Sequence, residues 1–247
     1  MKRTPFRSTV RNLAILALLT APAAGLAQDL KPIVLPQPRM TGGMPLMEAL
    51  SVRKTTREFG ADKLPLQMLS NLLWAAFGVN RAEMAGRTPK PGRTAPSAMN
   101  LQEIDLYIAF PEGVYLYEAV PHRLVPLVAR DVRALTNRNA AAGTAPLCFI
   151  FVEDLDKRPA PPAKKAPAGA LPAGAPPAGT LQAAPPRAAS GEVDAGFIGQ
   201  NIYLFCASEG LNAWFYGTDR EGLAKALNLR PGQRVLYGQA VGYPKKK

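Results

Sequence analysis

Three short stretches of the sequence concentrate residue types able to hold a ligand. The first is Arg53-Lys54-Thr55-Thr56-Arg57, three cations and two hydroxyls within five residues. Guanidinium groups present paired donors that match a phosphate, and hydroxyls reach a polyol or a ring edge. The same run reads equally as a solvated charged turn. The second stretch, Arg93-Thr94-Ala95-Pro96-Ser97-Ala98-Met99-Asn100, sets a Pro–small–small turn before an asparagine that both donates and accepts. Such a turn lets backbone approach a flat ligand, or it is a plain strand entry. The third, Ser208-Glu209-Gly210-Leu211-Asn212, closes a predicted helix. Gly210 is a natural helix stop, while the amides of Glu209 and Gly210 are alternative donors to a ligand edge.

Other chemistries lack their residues. One histidine, His122, and two cysteines, Cys148 and Cys206, cannot assemble a zinc site of several Cys and His ligands or a disulfide scaffold, so no metal is expected. His122 follows a predicted strand and reads as a surface turn residue. Both cysteines lie in apolar runs and read as small buried hydrophobes, with a disulfide between them left open. Trp74, Phe77 and Trp214 read as core or subunit interface.

The elements that must position these stretches follow from periodicity. Met44–Val52 reads as a short helix that delivers the cationic run. Pro65 suits a helix start, and Leu66, Leu69, Leu72, Leu73, Ala76 and Phe77 recur at helical spacing up to Gly78. Residues 79–96 read as loop. Gln102–Phe110 alternates, with Ile104, Leu106, Ile108 and Phe110 on one face, and Pro111-Glu112-Gly113 turns it into a second strand, Val114–Val120. Leu124–Leu135 reads as helix. Pro146–Val152 is continuously apolar, the pattern of a central strand covered on both faces. Val193–Ser208 reads as a mostly apolar helix, Asp219 caps a helix over Arg220–Leu227, and Gln233–Tyr243 is a last strand. With no regular βαβ rhythm, the class is α+β, a sheet covered by helices.

Charge and proline are unevenly spread over the 247 residues. The formal net charge is +12, and there are 25 prolines. Residues 1–27 have the plan of a signal peptide: Lys2, Arg3, Arg7 and Arg11, then the apolar Leu13–Leu19, then Gly25 and Ala27 before a cut at Gln28. That apolar run is far short of the roughly 20 residues a membrane span needs, so no stable anchor is expected. A periplasmic or secreted location follows, with the export route open. Residues 28–43 form an N-terminal extension. Residues 157–190 are Pro/Ala-rich, with five basic residues and no acid, and read as a disordered insertion, either a tolerated loop expansion or a docking arm. Residues 245–247 are a basic tail. Residues 1–27, the insertion and the basic tail carry the whole +12, leaving the folded body neutral and removing the main support for nucleic-acid binding.

Taken in order, "MEALSVRKTTREF", "GRTAPSAMNLQEIDLYI", "GVYLYEAVPHRL", "VDAGFIGQNIYLFCASEGLNAW" and "GQAVGYP" resemble the nitroreductase family of FMN-dependent oxidoreductases, near its SagB-type dehydrogenase branch. The resemblance spans residues 44–244, interrupted by the insertion. It implies a nitroreductase-like α+β fold with a central mixed or antiparallel sheet, in a homodimer that binds FMN at its interface. It further implies Arg53 at the FMN phosphate, Thr55 at the ribityl–phosphate end with Lys54 beside it, and Arg57 at the N1/O2 edge, where a cation stabilises the reduced ring. By the same resemblance Pro96, Ser97, Ala98 and Asn100 pack on the flavin from the partner subunit, and Glu209 and Gly210 bring amides to N5 and O4. The implied activity is two-electron ping-pong hydride transfer through flavin N5 to nitroaromatic-, quinone- or peptide-like acceptors. NAD(P)H is the implied donor, and no protein side chain serves as a catalytic group. The alternative from another class is a flavin- or ligand-binding, partner-docking protein without turnover.

Overall fold

The computed structural model describes residues 30–82, 90–158 and 190–246. Residues 1–27, expected to form a signal peptide, most of the Pro/Ala-rich stretch 157–190 and Lys247 lie outside the described residues. In chain order the elements are β1 (Ile33–Val34), α1 (Leu46–Val52), α2 (Leu66–Phe77), β2 (Val79–Arg81), β3 (Gly92–Arg93), β4 (Ile104–Phe110), β5 (Gly113–Glu118) and β6 (Arg123–Val128), followed by α3 (Arg133–Thr136), α4 (Ala140–Gly143), β7 (Leu147–Asp154), α5 (Ser190–Ser208), β8 (Asn212–Gly217), α6 (Arg220–Ala226) and β9 (Gln233–Gly242).

Seven strands form one sheet in the order β1-β6-β5-β4-β7-β9-β8, antiparallel at every pairing. β7 is buried at all eight positions because both of its faces are covered. Leu147, Phe149 and Phe151 pack toward α2 and α5, and Cys148, Ile150 and Val152 pack toward α6 and the α3–α4 segment. This alternation makes three layers, helix–sheet–helix. Truncating Phe149 or Phe151 to alanine would cost about 3–5 kcal/mol, the range for a large buried ring.

α5 lies close to the sheet because Gly199 has no side chain there; a Cβ would sit 2.8 Å from the Phe215 ring. Its outward face is also apolar: Val193 and Phe197 are exposed, as are Leu46, Met47 and Leu50 of α1. A helix apolar on opposite faces has two partners to bury against, and among the described residues only one covers it.

Several elements differ from the sequence reading, β6 and the β2–β3 ribbon among them. Leu124–Leu135 is not one helix. Its first part is β6, beside β5, and only Arg133–Thr136 is helical. Leu124, Leu127 and Val128 fit helical spacing as well as a short strand, and periodicity cannot separate the two over so few residues. Pro126 is tolerated because β1 covers β6 only at Leu124 and Arg123, leaving the rest an open edge that needs no donor. Within the 79–96 loop, β2 and β3 pair as a small ribbon.

Candidate functional site

The site is built on the edge strand β8. An edge strand leaves every second amide without a neighbour. On β8 those are Ala213, Phe215 and, by the same alternation, Gly217. Ala213 N–H donates to Thr56 Oγ1 (3.2 Å), and Thr56 N–H donates back to the Ala213 carbonyl (3.0 Å). Phe215 N–H donates to the Tyr203 hydroxyl (2.8 Å). Gly217 N–H meets no acceptor among the described residues, and no atom comes within 4 Å of where its Cβ would stand. Thr56 of the cationic run and Tyr203 of α5 together cover the outer amides of β8 up to, but not over, the last one.

The run leaves α1 at Arg53 in extended conformation (φ −58°, ψ 122°), so neighbouring side chains diverge. The Arg53 guanidinium lies over the Tyr203 ring at 5.5 Å, and that of Arg57 over the Trp214 ring at 5.1 Å. Thr55 Oγ1 shares a 3.0 Å hydrogen bond with the Tyr203 hydroxyl. Lys54 and Thr56 instead line a cavity of about 280 Å³ together with Tyr203 and Gly210. Arg53, Lys54 and Thr55 thus gather around Tyr203, a residue that sequence reasoning missed because nothing in its spacing distinguishes it on an apolar helix, while Arg57 stands over Trp214. Strand β8 was missed as well, and with it Gly217. The only signal was the short run Ala213-Trp214-Phe215-Tyr216, rich in aromatics. No carboxylate pairs with Arg53, Lys54 or Arg57 among the described residues.

Gly210 ends α5 in the left-handed conformation (φ +69°), and Leu211 N–H closes the turn on the Cys206 carbonyl (2.8 Å). Glu209 N–H donates to the Phe205 carbonyl (3.0 Å), so that amide is spent inside the helix end. Gly210 N–H meets no acceptor among the described residues.

Pro96, Ser97, Ala98 and Asn100 sit elsewhere. Ala98 N–H donates to both oxygens of Asp194 (3.3 and 3.2 Å), near the start of α5. Burial raises the Asp194 pKa, with hydrogen bonds from Ser97 and Ala98 acting in the opposite direction. From Asp194 to Glu209 the helix advances about 22 Å at 1.5 Å per residue. One chain does not bring this segment to the cationic run. Ser97 Oγ accepts from Gln102 N–H (2.8 Å), Asn100 Nδ2 donates to the Lys90 carbonyl (3.1 Å), and Asn100 Oδ1 accepts from Gln102 Nε2 (2.8 Å). The side chains of Ser97 and Asn100 are thus engaged in shaping their own loop. Met99, Asn100 and Gln102 all hold positive φ (49°, 54° and 52°), and Met99 projects outward. Non-glycine residues in that region cost of order 1–3 kcal/mol each and concentrate at functional segments.

His122 is not a surface turn residue. It is 9% exposed and forms one link of a buried relay: Nε2 to Ser70 Oγ (2.8 Å) and Nδ1 to the Tyr117 hydroxyl (2.9 Å). Ser70 Oγ donates to the Pro36 carbonyl (2.5 Å), so it accepts from Nε2–H, and Nδ1 accepts from Tyr117. The imidazole is neutral, and burial lowers its pKa against the raising effect of the Pro36 carbonyl. Cys148 and Cys206 are buried free thiols on opposite faces of the sheet, which keeps them apart. Burial pushes the Cys148 thiol up to about 11 and raises that of Cys206 as well, leaving both as inert core residues.

The model of the nitroreductase family matches residues 50–243, the span that holds the cationic run and every strand of the central sheet except β1. The chain belongs to the nitroreductase family. Among solved structures, a candidate nitroreductase of Ralstonia eutropha is 35% identical, with coverage of 96% of this chain and 100% of that one and a TM-score of 0.72. A candidate nitroreductase of Methanocaldococcus jannaschii is 31% identical over 87 residues, 35% of this chain and 43% of its own, so the chain spans less than half of that relative. Nitroreductase-like folds recur in a Desulfovibrio desulfuricans protein solved in complex with FMN (15% identity, TM-score 0.52, 83% and 89% covered). They recur also in an NADPH:FMN oxidoreductase of Vibrio harveyi complexed with NAD+ (18%, 0.52, 81% and 69%).

Proposed function

We infer that the protein is an exported FMN-dependent oxidoreductase of the nitroreductase family, near the SagB-type branch. The observation that carries this is the set Arg53, Lys54 and Arg57, three cations without a carboxylate partner among the described residues, beside an edge strand with a free terminal amide. Unpaired cations on aromatic faces, next to free backbone donors, suit a planar ligand that carries a phosphate. The donor set fits FMN. Arg53 and Thr55 serve the phosphate end, Arg57 the N1/O2 edge, and the free amides of Gly210 and Gly217 the N5 and O4 edge in place of Glu209. When bound, the flavin supplies two-electron acceptance and donation at N5; the protein binds, orients and excludes water. NAD(P)H is the donor, and nitroaromatic-, quinone- or peptide-like molecules are the acceptors. The named FMN and NAD+ complexes of the fold relatives support this choice.

The working unit is a homodimer. Phe197, Leu46, Met47 and Met99 are 46%, 62%, 76% and 60% exposed, an apolar surface that a second copy would bury. A twofold axis that sets the two α5 helices antiparallel would bring Pro96–Asn100 of one copy to the cationic run of the other. Light scattering of the native chain should give a dimer, and Phe197→Glu should give a monomer that has lost its flavin.

The decisive experiment is the visible spectrum of the mature chain, followed by anaerobic titration with NADH and NADPH. A yellow protein bleached by either nucleotide supports the reading. A colourless protein that takes up no added FMN rejects it.

A further inference from the structure

The extension ahead of α1 is fastened across α2 like a strap. Leu35 N–H donates to the His122 carbonyl (3.2 Å), Gln67 Nε2 to the Gln37 carbonyl (2.9 Å), Arg39 N–H to Asn71 Oδ1 (2.9 Å) and Met44 N–H to Ser208 Oγ (2.6 Å). Between the last two anchors, residues 39–43 border a cavity of about 380 Å³ between α2 and α5. Trp74, Leu204 and Phe205 give it flat apolar walls, and the Trp74 indole is fixed by its hydrogen bond to the Val79 carbonyl (2.9 Å). Arg39 and Glu209 also line it. Among the described residues neither has an ion-pair partner, and they are not paired with each other.

We propose that this cavity binds an aromatic zwitterion, a single ring bearing both an anionic group and an amine. The ring stacks on the Trp74 and Phe205 side, the anion pairs with Arg39, and the ammonium pairs with Glu209. The two wall charges cancel overall. A ligand with one charge gains at one wall and loses at the other, whereas a zwitterion gains at both. Arg39 is exposed and Glu209 half-buried, so each pair contributes about 0.2–1 kcal/mol, up to about fivefold in affinity, and only the zwitterion gains both. The extension thereby supplies a specificity-determining residue, Arg39. The binding claim does not rest on the flavin reading, although Glu209 adjoins Gly210 and puts the two sites side by side.

The test is isothermal titration of the mature protein with 4-nitrophenylalanine, 4-nitrobenzoate, 4-nitrobenzylamine and 4-nitrotoluene. 4-Nitrophenylalanine should bind severalfold more tightly than each of the others. Arg39→Ala should bring its affinity down to that of 4-nitrobenzylamine, and Glu209→Gln down to that of 4-nitrobenzoate. Both variants keep every backbone anchor, and unchanged thermal melting will verify their folding. Equal affinity for the four probes, no binding of any, or a preference that survives either substitution overturns the proposal. A colourless protein that still prefers 4-nitrophenylalanine rejects the flavin reading alone.

Discussion

The two ends of α5 treat charge in opposite ways. At its start, Arg158 pairs with Glu103 (2.7 Å) and Glu153 (2.7 Å), Ser190 Oγ donates to Glu103 (2.7 Å), and Arg234 closes on the far oxygen of Glu153. Both glutamate side chains are fully buried. Arg230 extends the network to Asp154 and Asp156. At the other end, Arg53, Lys54 and Arg57 meet aromatic rings and a cavity but no carboxylate among the described residues. Composition sees cations at both ends alike. A buried cation whose carboxylates come from its own chain is structural, because each partner repays the other's desolvation. A cation left over beside free amides is available for a ligand.

This contrast breaks if charge removal has the same consequence at both ends. The largest effect is expected at the paired end. Glu153→Ala removes the buried carboxylate that Arg158 and Arg234 share, while Arg158 keeps Glu103, and should destabilise by about 3 kcal/mol in chemical denaturation, with FMN affinity per folded molecule unchanged. At the unpaired end, Arg53→Ala and Arg57→Ala should each weaken FMN binding by roughly 10- to 100-fold, the range of one charge-assisted hydrogen bond. Their stability should shift by no more than about 0.5 kcal/mol. If Arg53→Ala unfolds the protein instead, its place at the unpaired end is wrong.

A smaller effect sharpens the role of the edge strand. Gly217→Ala has open space and should leave FMN binding alone, while Gly217→Pro removes the N–H and should weaken it by up to about tenfold. Equal affinities would show that this amide is not a flavin donor. The smallest effect belongs to the His122 relay, which lies with the paired, structural side. Burial lowers the His122 pKa, so below its ordinary value of about 6.5 the unfolded chain takes up a proton that the folded chain resists. Stability is fully present above that pH and falls as the pH drops toward the lowered folded value. His122→Gln should flatten this part of the pH–stability curve, and an unchanged curve would refute the linkage.

Much of the frame was legible in the residues. The helix over Leu66–Phe77, the two strands around Pro111-Glu112-Gly113, the central strand with Phe149 and Phe151, and the long helix ending at Ser208 each carry a local pattern long enough to be unambiguous. β6 was not, because a short apolar run with Pro126 satisfies helix and strand alike. His122 was misjudged because its place after a strand says nothing of Ser70, far away in sequence, which supplies its partner.

For the candidate site, the sequence alone determined the residue types: a dense cationic run, a glycine that stops a helix and a turn built from proline and small residues. These are local properties, set by side-chain chemistry and by backbone freedom over a few neighbours. The tertiary structure decided which cations are neutralised, that Glu209 N–H is spent while those of Gly210 and Gly217 meet no acceptor among the described residues, and that Pro96–Asn100 stands a helix length from Arg53. Those outcomes depend on which distant segment arrives opposite each donor, and only the packing of α5 against the sheet and of the cationic run along β8 brings those segments together.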